Sequence, residues 1–240
     1  MFVWSPGRAP EPVAEGVWVV RGGFPAKIMN VYLLEDAGGV TLFDAGIEAM
    51  ARAVVAAAAE LGGIRRVVLG HADADHRGSA PRLGAPVYCH EADRAAAESP
   101  SPYRDYWDFG KLRRPVNAVM PKLLEHWDGG AVTVTGTVAE GDELAGFRVI
   151  HLPGHAPGQI GLFRESDRLA LCSDCIYTLD IETGLRGHPR VPHSAYNLDT
   201  EQARDSVRRL ADLEPSAVWP GHTNPMTEDV ASQLRSLAAR

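Results

Sequence analysis

Short apolar segments alternate with glycine-rich turns through the first ninety residues of the chain. Residues 47–62 place apolar side chains at helical intervals and end at Gly62-Gly63, a common stop for a helix. Alternating or continuously apolar patterns, typical of strands, occupy four further segments: residues 16–22, 30–46, 64–70 and 85–90. This alternation of strands with a helix predicts an α/β fold.

Residues 91–130 interrupt the pattern with scattered prolines, clustered aromatic side chains and weak helical periodicity. We interpret them as a helical flap inserted into a single domain that covers residues 1–240. Strand patterns then resume in five segments: residues 131–138, 147–154, 159–165, 168–174 and 216–221. Before the last of these, residues 199–213 have helical spacing, with Asp199 or Thr200 as the N-cap.

The composition of the 240 residues, 45% apolar and 23% charged, is that of an ordered globular protein. A net charge of −7 opposes binding to nucleic acid, and no apolar segment is long enough to cross a bilayer. The first sixteen residues lack the pattern of a signal peptide, and three cysteines without a disulfide framework suit a reducing cytoplasm. We therefore expect a cytoplasmic protein with a small-molecule substrate and no nucleic-acid or membrane partner. Its oligomeric state stays open, a homodimer included.

Four of the apolar strand segments end at a side chain of a type that binds metal ions. These four residues are His71, His155, Asp174 and His222. Side chains at the carboxyl ends of strands collect along one edge of an α/β sheet, so the four can meet there. Each of the three histidines follows a glycine, which lets the backbone turn sharply and leaves space beside the side chain.

The segment after Gly70, HADADH, adds three more candidate ligands to this edge. In an extended loop His71 and Asp73 lie on one side, whereas Asp75 and His76 are neighbours. We therefore assign two metal positions that share Asp174 as a bridge. The first takes His71, Asp73 and His155, and the second takes Asp75, His76 and His222. Imidazole and carboxylate ligands suit zinc, iron or manganese, and open coordination positions are typical of catalytic sites.

These segments resemble the metallo-β-lactamase superfamily, whose motif H-x-H-x-D-H is followed by a distant histidine, an aspartate and a final histidine. In this chain the motif is HADADH, residues 71–76, and an early LFDAG segment that contains Asp44 also matches. The resemblance implies an αββα sandwich, two face-to-face sheets with helices outside. It also marks a departure, because Asp73 stands where the family has a histidine.

The aspartate at residue 73 changes what is expected of the metals. With two divalent ions, Asp75 and Asp174 leave a local charge of about +2, and Asp73 lowers it to about +1. A less positive pair activates water less, and an added oxygen ligand shifts preference from zinc toward iron or manganese. We expect two divalent ions, zinc first, with a single ion at the second position as the alternative. An Asp73→His variant is expected to gain affinity for zinc.

The family resemblance implies hydrolysis of an ester, thioester or lactone by a hydroxide that bridges the two metal ions. Asp75 would act both as a ligand and as the proton carrier to the leaving group. Tyr177 resembles a tyrosine of the metal-dependent lactonases that contacts the substrate carbonyl; the alternative is a half-buried aromatic ring with its hydroxyl on the backbone. Asp44 is a candidate for supporting a metal ligand, and an apolar flap would select acyl or aromatic groups.

Other functions stay open at this point. Some members of the superfamily carry out iron-dependent redox chemistry, and a metal-binding homologue that has lost activity would carry the same motif. Cys172 and Cys175 form a C-x-x-C pair, which is found in redox and zinc sites. We favour two thiols at the end of a buried strand, because a redox pair normally opens a helix.

Overall fold

The protein is described by a computed structural model that covers residues 10–23 and 27–239. Residues 1–9 lie outside the described residues, and they form the first part of the segment that was expected not to be a signal peptide. The strands are β1 Glu11–Ala14, β2 Val17–Gly22, β3 Met29–Asp36, β4 Gly39–Phe43, β5 Ile64–Val68, β6 Val87–His90, β7 Val134–Val138, β8 Glu143–Leu144, β9 Phe147–His151, β10 Ile160–Arg164, β11 Leu169–Ser173, β12 Tyr177–Leu179, β13 Arg186–Arg190 and β14 Ala217–Pro220. The helices are α1 Ala51–Ala59, α2 Ala74–Arg77, α3 Glu91–Ala97, α4 Val116–Trp127, α5 Thr200–Asp212 and α6 Val230–Ala238.

Two sheets face each other. The first has seven strands in the order β1-β2-β3-β4-β5-β6-β7, antiparallel up to β4 and parallel from β4 onward. The second has five strands in the order β14-β11-β10-β9-β8, with β11 and β14 parallel. Tyr32 and Phe43 from the first sheet and Phe147 and Leu171 from the second belong to one buried cluster between them. Alternation of side chains along each strand places these residues on the inner faces.

The helices cover the outer faces of the two sheets. Helix α1 packs its buried alanines and Val54 on the first sheet, in a cluster with Leu42 and Val67. Helices α5 and α6 pack on the second sheet through a separate cluster that includes Leu210 and Leu234. The predicted αββα sandwich is therefore confirmed. None of the helices that the structure describes is long and apolar enough to cross a bilayer.

A buried arginine from the motif segment anchors residues 96–128, which form most of the predicted flap. Arg77 is 1% exposed, and its guanidinium donates to the carbonyl oxygens of residues 96, 97, 99 and 101. Its Nε and Nη2 also donate to the Asp128 carboxylate, at 3.0 and 3.1 Å. Because an arginine carries five donors in a fixed fork, one side chain can hold both ends of this segment against α2.

Several elements differ from the sequence-based predictions. Helix α6 and the two-stranded β12-β13 ribbon were not predicted. The Asp199 side chain accepts from the backbone N–H groups of Glu201 and Gln202, so Asp199 is the N-cap of α5. Helix α6 begins at the N-cap Asp229, whose backbone is left-handed and whose side chain makes no capping hydrogen bond.

Candidate metal centre

The predicted ligands meet at one end of the sandwich. His71 follows β5, His155 follows β9, Asp174 follows β11 and His222 follows β14, each by one to four residues. Asp73 is the N-cap of α2, with extended backbone at φ −71° and ψ 154°. Asp75 and His76 lie in α2 itself, so the short helix, and not an extended loop, turns both of them toward His222.

The first predicted position brings together three donor atoms. His71 Nε2 and His155 Nε2 lie 3.4 and 3.2 Å from Asp73 Oδ2. All three side chains are at most 4% exposed. In a tetrahedral site with bonds of about 2.0–2.1 Å, neighbouring ligand atoms are about 3.3–3.4 Å apart. Both distances from Asp73 Oδ2 are close to that value.

The second predicted position has similar spacing. His222 Nε2 lies 3.4 Å from His76 Nε2 and 3.5 Å from Asp75 Oδ2. The donor atoms of all three side chains lie within 4.8 Å of one another. Each position thus offers two imidazoles and one carboxylate of its own.

Asp174 lies between the two positions. Its Oδ1 is 3.3 Å from His76 Nε2, and its Oδ2 is 3.2 Å from His222 Nε2. The same Oδ2 is 3.7 Å from His155 Nε2 and 3.9 Å from His71 Nε2. This one buried carboxylate therefore contacts the imidazoles of both positions, and its role as a bridge between two metal ions stays a prediction.

Two of the four imidazoles have their orientation set by the same small network. The Nδ1 of His76 is 2.9 Å from Asp44 Oδ2; a carboxylate can only accept, so Nδ1 donates. The Ser173 hydroxyl donates to Asp44 at 2.8 Å, which leaves its oxygen to accept from His71 Nδ1 at 3.2 Å. Asp44 also accepts from the backbone N–H of Gly70 at 2.7 Å. Both Nε2 atoms therefore point toward the site.

The other two imidazoles are held by neutral acceptors. His155 Nδ1 lies 3.2 Å from Asn197 Oδ1, while the amide nitrogen of Asn197 donates to the Pro192 carbonyl. His222 Nδ1 donates to the carbonyl oxygen of Ile28 at 3.1 Å. A ring whose Nδ1 donates carries a lone pair on Nε2 when it is neutral, so four Nε2 lone pairs converge with three carboxylates.

This donor set fits divalent metal ions. His71 Nε2, His155 Nε2 and Asp174 Oδ1 are buried and have no hydrogen-bond partner among the described residues. Buried polar atoms without a partner are costly, and converging lone pairs repel one another unless a cation lies between them. Imidazole nitrogen and carboxylate oxygen are ligands of zinc, iron and manganese.

The glycine before His222 is needed for space. A Cβ on Gly221 would lie 2.4 Å from Asp174 Oδ1 and 2.5 Å from His76 Cε1, inside the ligand cluster. Gly154, before His155, has φ +126°, and its Cβ would lie 2.1 Å from the backbone nitrogen of Ala203. A larger residue at either position would push ligands or helix α5 out of place.

Charges in the site move the pKa values of its ligands. Burial lowers the pKa of His76, but the Asp174 and Asp44 carboxylates outweigh it and hold that pKa well above its usual range. Burial is likewise outweighed at His155, mainly by Asp73, and at His222, mainly by Asp174, so both pKa values are raised. A raised pKa makes protons stronger competitors of metal ions for these imidazole nitrogens.

Sequence analysis missed an arginine beside the altered ligand. Arg104, from the flap, donates from Nε to Asp73 Oδ1 at 2.6 Å and from Nη2 to Asp93 Oδ2 at 2.9 Å. Burial raises the pKa of Asp73, but Arg104 and His71 outweigh it and hold that pKa well below its usual range. No local pattern in residues 91–130 distinguishes Arg104 from the other arginines, so only the fold reveals the contact.

Tyr177 lines the cavity next to the ligands. Its hydroxyl donates to Asp174 Oδ2 at 2.8 Å, and the side chain is 6% exposed. The alternative in which the hydroxyl bonds to the backbone is therefore wrong. Tyr196 lies in the same wall, and its hydroxyl has no partner in the described part of the chain.

A cavity of about 170 Å³ opens onto the ligand cluster. Its walls near the ligands are polar, and the flap and β12 supply most of the rest. The apolar side chains that line it are Ile28, Met29, Trp107, Met120, Leu123, Leu124, Trp127, Leu179 and Ile181. Among the described lining residues there is no lysine or arginine. The cavity thus combines an apolar chamber with a cluster of metal-ligand side chains at one end.

The C-x-x-C pair lies behind the site and not in it. Cys172 and Cys175 are free, 0% and 2% exposed, and packed in the apolar cluster under α5 and α6. Burial raises the pKa of both thiols well above the ordinary range, which opposes thiolate chemistry at neutral pH. The interpretation as buried thiols at a strand end agrees with these positions.

Comparison with known proteins places this fold and site in a family. The profile of the metallo-beta-lactamase superfamily matches residues 26–222, and the chain belongs to that superfamily. The recognition made from the motif is therefore confirmed at the level of the family. The profile match does not test the aspartate at residue 73.

Curated relatives and solved structures agree with this membership. The probable metallo-hydrolases YflN and YqjP of Bacillus subtilis (strain 168) are each 28% identical; the alignments cover 91% and 92% of this chain and 89% and 71% of theirs. The metallo-beta-lactamase family protein TTHA1429 of Thermus thermophilus is 26% identical, with a TM-score of 0.70 over 95% of this chain and 80% of its own. A structure of TTHA1623 in a di-iron-bound form is also 26% identical, with a TM-score of 0.62 over 92% and 96%.

Proposed function

We propose that this protein is a metal-dependent hydrolase that binds two divalent ions and cleaves an ester, thioester or lactone with a neutral, apolar acyl group. The observation that carries the proposal is the convergence of four imidazole Nε2 atoms and three carboxylates at the end of an apolar cavity. Two relatives are described as probable metallo-hydrolases, and a similar protein has been solved in a di-iron-bound form.

In this proposal each ion has two imidazoles and one carboxylate of its own, and Asp174 serves both. The first ion is held by His71, Asp73 and His155, and the second by Asp75, His76 and His222. Zinc is the first candidate, and the oxygen-rich donor set also suits iron or manganese.

Two divalent ions held in this way supply an activated water molecule at neutral pH and polarise a carbonyl group for attack. The chain's own residues orient the substrate and move protons. Asp75 lines the cavity and offers an oxygen for carrying a proton to the leaving group. The Tyr177 hydroxyl holds Asp174 in place, and the unpartnered Tyr196 hydroxyl is free to donate to a substrate oxygen.

The lining of the cavity supports the substrate class. Trp107, Met120 and Trp127 form apolar walls, so transfer of an acyl chain or aromatic group from water is favoured. A carboxylate or phosphate on that group would enter a chamber that has no cationic lining residue in the described chain. Burying such an anion unpaired costs several kcal/mol, about enough to reject it.

The first test compares metal content with turnover. Protein stripped by a chelator should lose hydrolysis of esters, thioesters or lactones and regain it with zinc, manganese or ferrous iron. His222→Ala should be inactive, whereas His126→Ala, the same change on the exposed side of α4, should retain activity. Absence of turnover on all three substrate classes by protein loaded with metal would overturn the proposed activity.

The second test compares aryl esters of equal chain length that end in a methyl or a carboxylate group. We expect kcat/KM to favour the methyl-terminated ester by at least about tenfold, the cost of burying an unpaired charge being several kcal/mol. Equal rates for both esters would contradict the proposed substrate class while leaving metal-dependent hydrolysis intact.

An iron-dependent redox activity is the second candidate, because the donor set is rich in oxygen and one similar protein has been solved with two irons. Oxygen consumption by the iron-loaded protein with a thiol persulfide separates the candidates. Uptake of oxygen without ester, thioester or lactone cleavage would favour the redox function.

A further inference from the structure

Asp73 belongs to a buried network of three charged side chains whose signs alternate. Arg104 donates to Asp73 Oδ1 at 2.6 Å and to Asp93 Oδ2 at 2.9 Å. The three side chains are 4%, 7% and 0% exposed in the order Asp73, Arg104, Asp93. Because different nitrogens of one guanidinium hold the two carboxylates, Arg104 has little freedom to move.

Asp93 anchors this charged network, through hydrogen bonds, to the loops that carry the predicted ligands. Its Oδ2 accepts from the backbone N–H of Ala72, between His71 and Asp73, at 2.7 Å. Its Oδ1 accepts from the N–H of Gly158, three residues after His155, at 3.1 Å. Two backbone N–H groups share the stabilisation of Asp93 with Arg104, so the guanidinium charge is divided between Asp93 and Asp73.

The contact occupies only one oxygen of Asp73. Oδ1 faces Arg104, whereas Oδ2 lies between His155 Nε2 and His71 Nε2, at 3.2 and 3.4 Å. An aspartate without Arg104 would present a full negative charge to the first position. With Arg104 the pair is neutral, as an uncharged imidazole is.

We propose that Asp73 and Arg104 act as one neutral ligand unit at the first metal position, in which Arg104 orients Asp73 and cancels its charge. This inference rests on the proposed metal centre. It makes Arg104 a positioning residue, contributed by the flap, that acts on the metal only through Asp73. The Arg104 charge, which Asp93 shares, offsets part of the negative charge that Asp73 adds beside two divalent ions.

The pairing with Arg104 reverses the expected effect of Asp73→His on zinc affinity, from a gain to a loss. Asp73→His would leave the buried guanidinium of Arg104 facing a neutral ring and a divalent cation, with repulsion that the aspartate now cancels. Removing the guanidinium at the same time takes this repulsion away and leaves Asp93 with its two backbone donors. The two substitutions are therefore expected to compensate each other.

The test is a double-mutant cycle in zinc affinity and stoichiometry, measured by calorimetric titration of chelator-stripped protein and by elemental analysis. Wild type should bind two ions. Asp73→His should lose the first-position ion or bind it at least tenfold more weakly, and Asp73→His/Arg104→Met should recover two ions.

Arg104→Met alone should bind the first ion about tenfold more tightly, because a nearby positive charge is gone. Arg113→Met, which removes an exposed flap arginine paired with Glu182, is the matched control and should leave both affinities unchanged.

The outcomes separate this inference from the proposed function. If Asp73→His binds two ions as tightly as wild type, or if the double variant recovers nothing, Arg104 has only a structural role. If circular dichroism shows that Asp73→His does not fold, the Arg104→Met variant becomes the test. An unchanged or weaker affinity of that variant for the ion at the first position would contradict the proposed Asp73–Arg104 unit. A wild type that binds one ion and still hydrolyses substrate overturns the unit and leaves a hydrolase; one that binds none overturns both.

Discussion

The two proposed metal positions have the same kinds of candidate ligand but different surroundings. At the second position His76 is backed by the Asp44 carboxylate, and Asp75 lies in the cavity wall. At the first position His155 is backed by the neutral amide of Asn197, and Asp73 turns one oxygen to Arg104. A carboxylate behind an imidazole raises its basicity, whereas a guanidinium on a ligand carboxylate withdraws charge from it.

This difference teaches that identical donor sets do not make equivalent sites. We expect the second position to bind its ion more tightly and to fill first. The first position depends on the flap, because Arg104 belongs to residues 91–130, and it is therefore the position that changes within the flap can tune.

The substitution with the largest expected effect is at Asp174, the carboxylate that the two positions share. Asp174→Asn takes away the negative charge that contacts all four imidazoles, so both ions should bind poorly. We expect hydrolysis to fall at least about 10³-fold, the scale on which activated water and carbonyl polarisation act. Elemental analysis and kcat/KM measure the two effects.

Asp212→Asn is the control for that change, since it makes the same substitution at an exposed position near the end of α5. It should retain both ions and full activity. Retention of two ions by Asp174→Asn would contradict a shared ligand and separate the two positions.

The next prediction tests the inequality of the two positions directly. Asp44→Asn keeps the left-handed backbone at φ +62°, which asparagine also adopts, but removes the carboxylate behind His76. We expect affinity at the second position to fall about 10–100-fold, as is usual for the partner of a metal-bound histidine. Affinity at the first position should fall less, because Ser173 lies between Asp44 and His71. Asn197→Ala, the corresponding change at the first position, should cost less than about tenfold because its partner is neutral.

Calorimetric titration with zinc resolves the two affinities. Equal losses in Asp44→Asn and Asn197→Ala would mean that the charge behind the imidazole does not distinguish the positions. A larger loss in Asn197→Ala would reverse the order of filling proposed above.

Sequence patterns predicted the alternation of strands and helices because the strands are bounded by glycines and the main helices are amphipathic, and the family resemblance then implied the αββα sandwich. They also predicted which ligands meet, because strand ends and the HADADH spacing are local features. The structure places those seven side chains together, and the binding of metal by them stays a prediction. Four residues escaped detection because their contacts join positions far apart in the chain: Arg104, Asp93, Arg77 and Asn197. Such contacts leave no periodicity in the chain.

The pH dependence gives a third prediction. The pKa values of His76, His155 and His222 are raised in the metal-free protein, mainly by carboxylates that outweigh burial. Groups with a raised pKa contribute stability below the unfolded value of about 6.5 and lose it as pH rises through the folded pKa. Asp73 and Asp174 have lowered pKa values, so their contribution is constant above about pH 5.

The metal-free protein should therefore unfold at a lower temperature as pH rises above about 6.5, by several degrees if 1 kcal/mol shifts Tm by about 2–4 °C. Apparent zinc affinity should rise over the same range as protons leave the imidazoles. Asp44→Asn should reduce the Tm change, because Asp44 helps to raise the pKa of His76. A Tm of the metal-free protein that rises with pH would contradict the assigned directions.

The smallest expected effect concerns two tyrosines in the cavity wall. The Tyr177 hydroxyl is bonded to Asp174, whereas the Tyr196 hydroxyl has no partner in the described chain. If Tyr196 donates to the substrate, Tyr196→Phe should raise KM about 3–10-fold, the worth of one neutral hydrogen bond, without lowering Tm. Tyr177→Phe should instead weaken metal binding, because it frees Asp174 to move. A fall in kcat with unchanged metal affinity in Tyr177→Phe would instead favour the role predicted from the sequence, in which the Tyr177 hydroxyl contacts the substrate carbonyl. That contact would lie beside Asp174, the carboxylate that both positions share.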